Sequence, residues 1–343
     1  MSDYQVFVGI DVSKKHLDIS LMQSFKVSKY VRISNTPKAI KSFLDNYAQE
    51  YQLAQALFCL EATGVYISHL VALLATYKHS TWVENAVSIK RSLGLQRGKN
   101  DKVDSKRIAE YATRFVDKVK LYQPPSEAFE HLQVLENLRT AFVETKKRLQ
   151  TNAKEIKAFM KKSTAQLVQK HTKDILKALE IQIKEVEKQT YQIIKADPEL
   201  KKLYEIACSV PGVGPVIATA VLIATKGFKK FNNAKEFACY CGVAPFEHSS
   251  GNTSSKPRVS KMANKKLKKL LHLGAMSATR TKGEIKEYYE KKIKENKPKM
   301  SILNAVRNKI IQRIFTCVNK GENYQRTLQK KIANTIVFGA FVA

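Results

Sequence analysis

Val6-Phe7-Val8-Gly9-Ile10-Asp11-Val12-Ser13-Lys14-Lys15-His16-Leu17-Asp18-Ile19-Ser20 is the stretch from which the fold can be read. Val6, Phe7, Val8, Ile10 and Val12 form a β-branched and aromatic run, which predicts a short buried strand. Asp11 stands near its end, where an ionised carboxylate is costly unless a cation or hydrogen-bond donors meet it. A second strand over 17–22 follows a polar turn, so the two read as a hairpin. A carboxylate on a central strand is a common holder of a divalent metal. The plainer alternative is an acid that ends the strand and caps the turn, and the rest of the chain has to decide between them.

Outward from this hairpin, strands and helices alternate. A third strand is expected over 29–34, and Thr36-Pro37 opens a helix with Ile40, Phe43, Leu44 and Tyr47 on its apolar face. A fourth strand over 55–60 runs directly into Glu61. Ala62-Thr63-Gly64 turns the chain into an apolar helix over 65–77, and a fifth strand covers 80–83. The order β-β-β-α-β-α-β followed by helices is the pattern of the ribonuclease H fold, an α/β layer structure with a mixed sheet. Asp11 and Glu61 then end two strands that can be neighbours, where they repel without a metal between them.

Lys99-Asn100-Asp101-Lys102-Val103-Asp104-Ser105-Lys106-Arg107 supplies two further acids. Asp101 and Asp104 are three apart and share a face at the start of a helix. Capping alone explains one acid there, but not the strand-end acids as well. Asp11, Glu61, Asp101 and Asp104 together could hold two divalent ions roughly 4 Å apart. Hard oxygen ligands and a phosphate substrate point to magnesium, with manganese as a substitute. Lys99, Lys102, Lys106 and Arg107 interleave with the acids and suit phosphate contacts.

Pro124-Pro125 marks a linker that closes a first domain, 1–122. Over 123–196, Leu135, Phe142, Leu149 and Ile156 recur every seven residues. So do Leu179, Val186 and Ile193, with Leu176 and Ile183 beside them. Two long helices with a break over 161–173 are expected, paired as an antiparallel coiled coil or with another subunit. A third, mainly helical domain spans 197–343. In it, Pro211-Gly212-Val213-Gly214-Pro215 lies between two helices as a helix-hairpin-helix turn. Gly212 and Gly214 there could offer backbone N–H groups to a phosphate, or simply make a tight turn. Tyr240-Cys241-Gly242-Val243-Ala244-Pro245-Phe246-Glu247-His248-Ser249-Ser250-Gly251 precedes a polar loop and a lysine-rich helix. A serine hydroxyl can attack a phosphodiester if cations stabilise the charge that develops and a group accepts its proton. Arg258, Lys261 and Lys265 could be those cations.

Composition narrows the partner. The 343 residues carry 60 Lys and Arg against 30 Asp and Glu, a formal charge of +30 spread along the chain. Such a charge calls for a polyanion, with nucleic acid the first choice. No signal peptide or bilayer-spanning run is seen. Cys59, Cys208, Cys239, Cys241 and Cys317 lack paired metal-ligand spacing and suit a reducing cytoplasm.

In this order and spacing, Gly9-Ile10-Asp11-Val12-Ser13-Lys14, the Glu61-Ala62-Thr63-Gly64 turn and Lys99-Asn100-Asp101-Lys102-Val103-Asp104-Ser105 resemble the Holliday-junction-resolvase-like (RuvC-like) domain of the DEDD transposases of the insertion-sequence one-ten family, the bridge-RNA-guided recombinases. Pro211-Gly212-Val213-Gly214-Pro215 and the stretch from Gly242 to Gly251 resemble the C-terminal transposase domain of that family. The likeness covers nearly the whole chain. It implies that the four acids bind magnesium and that Ser250 is the nucleophile, forming a covalent phosphoserine link to DNA. It also implies a coiled coil that assembles a dimer or tetramer, and a noncoding RNA that specifies donor and target DNA. Ala263 departs from the family's Ser-Lys-x-Gly-Asn pattern, and Ser249 adjoins the implied nucleophile. Two other readings compete: a junction-resolving nuclease in which water attacks, and a non-catalytic nucleic-acid-binding protein.

Overall fold

The computed structural model describes residues 4–92, 94, 100–250, 253–260 and 262–325, and only the backbone of 247–250 and 253–256. The described chain divides into two compact units at the tandem prolines, Met1–Pro124 and Pro125–Ala343.

In the first unit the opening run forms β1 (Val6–Val12), followed by β2 (His16–Gln23) and β3 (Lys26–Ser34). Then come α1 (Pro37–Tyr47), β4 (Ala56–Glu61), α2 (Ser68–Thr76), β5 (Ser80–Glu84), α3 (Ala86–Ser92) and α4 (Asp101–Arg114). A short 3-10 turn over Gly64–Ile67 occupies the start of the helix expected over 65–77. The sheet order is β3-β2-β1-β4-β5, with β1 antiparallel to β2 and parallel to β4. This is the mixed sheet of the ribonuclease H-like fold. Strand side chains alternate between faces. Val8, Ile10, Ile19, Phe58 and Leu60 therefore pack with Ile40, Phe43 and Leu70 in a buried cluster on one face. Phe7, Leu57, Cys59 and Trp82 pack with Ile108, Ala109 and Ala112 of α4 in a cluster on the other.

The second unit begins with α5 (Glu127–Phe159) and α6 (Lys162–Ala196). The break between them is shorter than expected, Met160 and Lys161 alone, because no Gly or Pro interrupts either helix. Arg139 pairs with Glu187 at 2.7 Å and Lys146 with Glu180 at 2.8 Å. As one member rises by seven residues its partner falls by seven, so the helices are antiparallel. The two helices thus pair within one chain. Next come α7 (Pro198–Ser209), α8 (Pro215–Thr225) and α9 (Ala234–Tyr240). A hairpin of β6 (Pro245–Ser250) and β7 (Thr253–Val259) follows, then α10 (Lys265–Ala278), α11 (Glu284–Lys294) and α12 (Lys299–Lys320). One core joins α7, α8, α9, α10 and α12, with Leu132 of α5 and Ile194 of α6 buried in it. Among the described residues no helix is long and apolar enough to cross a membrane.

Candidate active site

The first unit gathers its acids on one face of the sheet. Asp11 lies opposite Asp18 in the β1–β2 register. Ile10 pairs with Leu60 in the parallel β1–β4 ladder, so one step further Asp11 comes level with Glu61. Glu61 in turn pairs with Glu84 of β5. The pleat turns all four toward the α4 side, as a row of carboxylates across four adjacent strands. Asp101 and Asp104 join them from the first turn of α4, where Asn100 caps the helix by accepting from the Val103 N–H at 2.8 Å.

Two contacts press that helix onto the strand. A Cβ added at Gly9 would lie 2.2 Å from the Ala109 nitrogen and 2.3 Å from the Ser105 oxygen, so the α4 backbone rests directly on β1. Beside it, the buried hydroxyls of Ser20 and Ser105 share a hydrogen bond of 2.8 Å. Any side chain at position 9 would lift the two helix acids away from the two strand acids.

The row is short of positive charge. Burial, then the charges of Asp104, Asp101, Glu61 and Asp18, push the Asp11 carboxyl up to about 6. Neither Asp11 nor Glu61 makes an ion pair or side-chain hydrogen bond among the described residues. The other acids have found partners. Arg32 of β3 reaches Asp101 at 3.5 Å and Asp18 at 3.8 Å, and Arg107 holds Asp104 at 3.0 Å. Tyr30 donates to Asp18 at 2.5 Å, and this bond with burial holds the Tyr30 hydroxyl up at about 12. With Asp101 and Asp104 turned to arginines, no three carboxylates among the described residues converge as a ligand set. The donor chemistry still fits a hard divalent ion, since every donor is oxygen and Asp11 lacks a cation beside it.

Other expected contacts fall out as follows. Lys102 is exposed on α4 with its ammonium 4.9 Å from the centre of the Tyr30 ring, and Arg107 is held by Asp104. Lys99 and Lys261 lie outside the described residues. Ser250 is the last residue of β6 and pairs with Thr253 across the hairpin tip, with Ser249 opposite Ser254. The expected polar loop is thus β7, which carries Arg258 exposed, and Lys265 begins α10. Gly212 has a packing role: its φ is +89°, and an added Cβ would strike the Gly274 oxygen of α10 at 2.5 Å. Gly214 has open space around it and caps α8. Both glycines line a groove of about 690 Å³ with Lys265, Lys266 and Lys269 on its wall.

Known proteins share both halves. The DEDD transposase family of the IS110 type matches residues 8–161, and the transposase IS116/IS110/IS902 family matches residues 204–290. This chain belongs to the IS110-family DEDD transposases. The transposase is similar to the pilin gene-inverting protein of Moraxella bovis, 23% identical over 331 residues, which are 95% of this chain and 99% of that one. A probable family 20 transposase of Pseudomonas aeruginosa is 25% identical over 156 residues, 45% of each chain. RuvC of T. thermophilus, solved with a Holliday junction substrate, aligns with 35% of this chain and 100% of that one, at 10% identity and a TM-score of 0.26. The ribonuclease H-like assignment rests on the sheet order instead.

Sequence reasoning passed over Asp18, Glu84, Tyr30 and Arg32 of the transposase. Asp18 did leave a signal. It alternates with Leu17 and Ile19 on a buried strand, which puts a carboxylate on the Asp11 side of the hairpin. Glu84 ends β5 as Glu61 ends β4, and accepts a hydrogen bond from the Tyr111 hydroxyl at 3.4 Å.

Proposed function

We propose that the transposase cuts and rejoins donor and target DNA under the guidance of a noncoding bridge RNA, through a covalent phosphoserine link at Ser250. In this reading Asp11, Glu61, Asp101 and Asp104 hold magnesium, for which manganese can substitute. The observation that carries it is the acid row of the ribonuclease H-like sheet, with Asp11 pushed up to about 6 by burial and then by the neighbouring carboxylates. A bound divalent ion would supply charge for the scissile phosphate. The protein's own groups do the rest. Ser250 Oγ gives up its proton and bonds to phosphorus as a deoxyribose oxygen leaves and takes up a proton, and the ester keeps the bond energy for the reverse step. Lys99, Lys102, Arg107, Arg258, Lys261 and Lys265 contact phosphates, and the α8 N-terminus at Gly214 receives another. Inversion of a gene, named for the Moraxella bovis relative, requires broken strands to be rejoined, which favours recombination over cleavage by water. A formal charge of +30 suits a complex containing both RNA and DNA. Assembly with further copies through the α5–α6 hairpin, in the cytoplasm, completes the proposal.

The test uses purified protein, RNA and a DNA suicide substrate. Wild type is expected to leave a protein–DNA adduct after denaturation, and only when RNA is present. Ser250→Ala is expected to abolish the adduct and strand exchange, and Ser249→Ala to retain both. Asp11→Asn is expected to lower strand exchange by a factor of about 100 or more, typical for an essential electrostatic group. Strand exchange by Ser250→Ala would overturn the nucleophile, and wild-type rates in Asp11→Asn would overturn the metal role.

A further inference from the structure

The lysine- and arginine-bearing helices α10 and α12 of the second unit contain no Asp or Glu at all. Where they pack together, three basic side chains come near one another. Arg307 of α12 is only 5% exposed. Its one hydrogen bond among the described residues runs from Nε to the Leu303 oxygen of its own helix, at 3.4 Å, and no carboxylate pairs with it. Lys268 and His272, one turn apart on α10, are half-buried beside it. Burial and the Arg307 charge lower both Lys268 and His272 from their ordinary values, and burial lowers Arg307 itself. His272 Nδ1 is buried with no hydrogen-bond partner.

A buried guanidinium is normally paired, because leaving its N–H groups and its charge uncompensated is costly. Here no pairing group is found among the described residues, and Lys268 adds positive charge rather than balancing it. The place is also framed by structure that fixes its position. Asn304, one turn before Arg307, donates from Nδ2 to the Val243 oxygen at 2.8 Å. Asn264, one turn before Lys268, accepts from the Leu267 N–H at 3.0 Å, and its own N–H donates to the Tyr240 oxygen at 2.9 Å. The two asparagines thus tie both helices to the segment that leads into β6, and the cations come next along each helix.

We propose that Arg307, Lys268 and His272 form a site for one phosphate group at the base of the β6–β7 hairpin. A tetrahedral oxyanion satisfies the three groups together, taking the guanidinium N–H groups, the ammonium and an imidazole N–H as donors. The half-exposed Lys268 and His272 are the entrance, and Arg307 is the floor. In a nucleic-acid enzyme the phosphate belongs to the backbone of a bound strand, where it would fix the hairpin against that strand without reading sequence.

Thermal unfolding of the full chain in sodium phosphate and in sodium chloride of equal ionic strength tests the site. Phosphate is expected to raise the wild-type Tm above its chloride value. Arg307→Met is expected to raise the Tm in chloride, by removing an unpaired buried cation, and to lose the phosphate increment. If that variant does not fold, Lys268→Met carries the test and is expected to lose at least half of the increment. Lys188→Met, on α6, is expected to keep all of it. The source of the phosphate is read from DNA and RNA binding against salt. Loss of one backbone contact makes the slope of log K against log salt shallower by about 0.7–0.9. A shallower slope in Lys268→Met assigns the site to a nucleic-acid strand, and an unchanged slope with a lost increment assigns it to free phosphate. An undiminished phosphate increment in both variants would falsify the site, as would no increment and no change of slope.

Discussion

At the residue scale the decisive group is Asp11. A carboxyl raised to about 6 binds its proton more tightly in the folded protein than in the unfolded chain, where the carboxyl lies near its ordinary value of 3.8. Between those values the folded state holds more protons, so stability falls as pH rises from about 4 to about 6. That is opposite to the behaviour of a salt-bridged acid. In the metal-free protein, Asp11→Asn is therefore expected to be more stable than wild type at pH 7, with the two converging toward pH 4. Melting curves in a chelator across that range would show it. A divalent ion needs the ionised carboxylate, so manganese should raise the wild-type Tm more at pH 7 than at pH 5, and raise that of Asp11→Asn much less. Equal pH slopes in the two proteins would remove Asp11 from the charged row.

At the scale of elements the site is the meeting of β1 with the start of α4, and Gly9 controls it. Gly9→Ala would place a methyl carbon 2.2 Å from the Ala109 nitrogen, a backbone atom that cannot turn aside. Overpacking of this kind costs about 1–3 kcal/mol. The Tm should fall accordingly, and manganese binding should weaken with it because Asp101 and Asp104 move away from Asp11. A fall in stability with unchanged manganese affinity would separate the packing from the acids. How much of this was legible follows from how local each signal is. The continuous apolar run at Val6–Val12 and the strand-end position of Glu61 are local, and so they announced the sheet and two of its acids. Asp18, Glu84 and Arg32 gain meaning only from strand register and from the reach of β3 to α4, which are contacts distant in sequence. The β6–β7 hairpin escaped notice because its Ser, Thr and Lys residues lack the apolar alternation of a half-buried strand. The helix break was placed too late and too wide, since the turn at Met160 and Lys161 uses no Gly or Pro.

Over the whole molecule the governing quantity is the formal charge of +30 on 343 residues. Charges of one sign repel within the folded protein as well as between copies, and salt screens both over a Debye length of about 10 Å at 0.1 M. Two opposite responses to salt follow from one cause. Raising the salt from about 50 mM to about 200 mM should raise the Tm of the bare transposase, because self-repulsion weakens. The same change should loosen its hold on DNA and RNA, by about 10³-fold or more if six or more phosphates are contacted, because releasing counterions into a saltier solution gains less entropy. At low salt a nucleic acid should itself raise the Tm, and at high salt that increment should vanish while the bare protein is at its more stable. Melting the protein with and without a duplex across this range measures both. A Tm that falls with salt in the bare protein would mean that attraction within its ion pairs outweighs the repulsion among the unmatched lysines and arginines. The paired set at Arg32, Arg107, Arg139 and Lys146 would then weigh more in stability than the unmatched cations of helices such as α10 and α12.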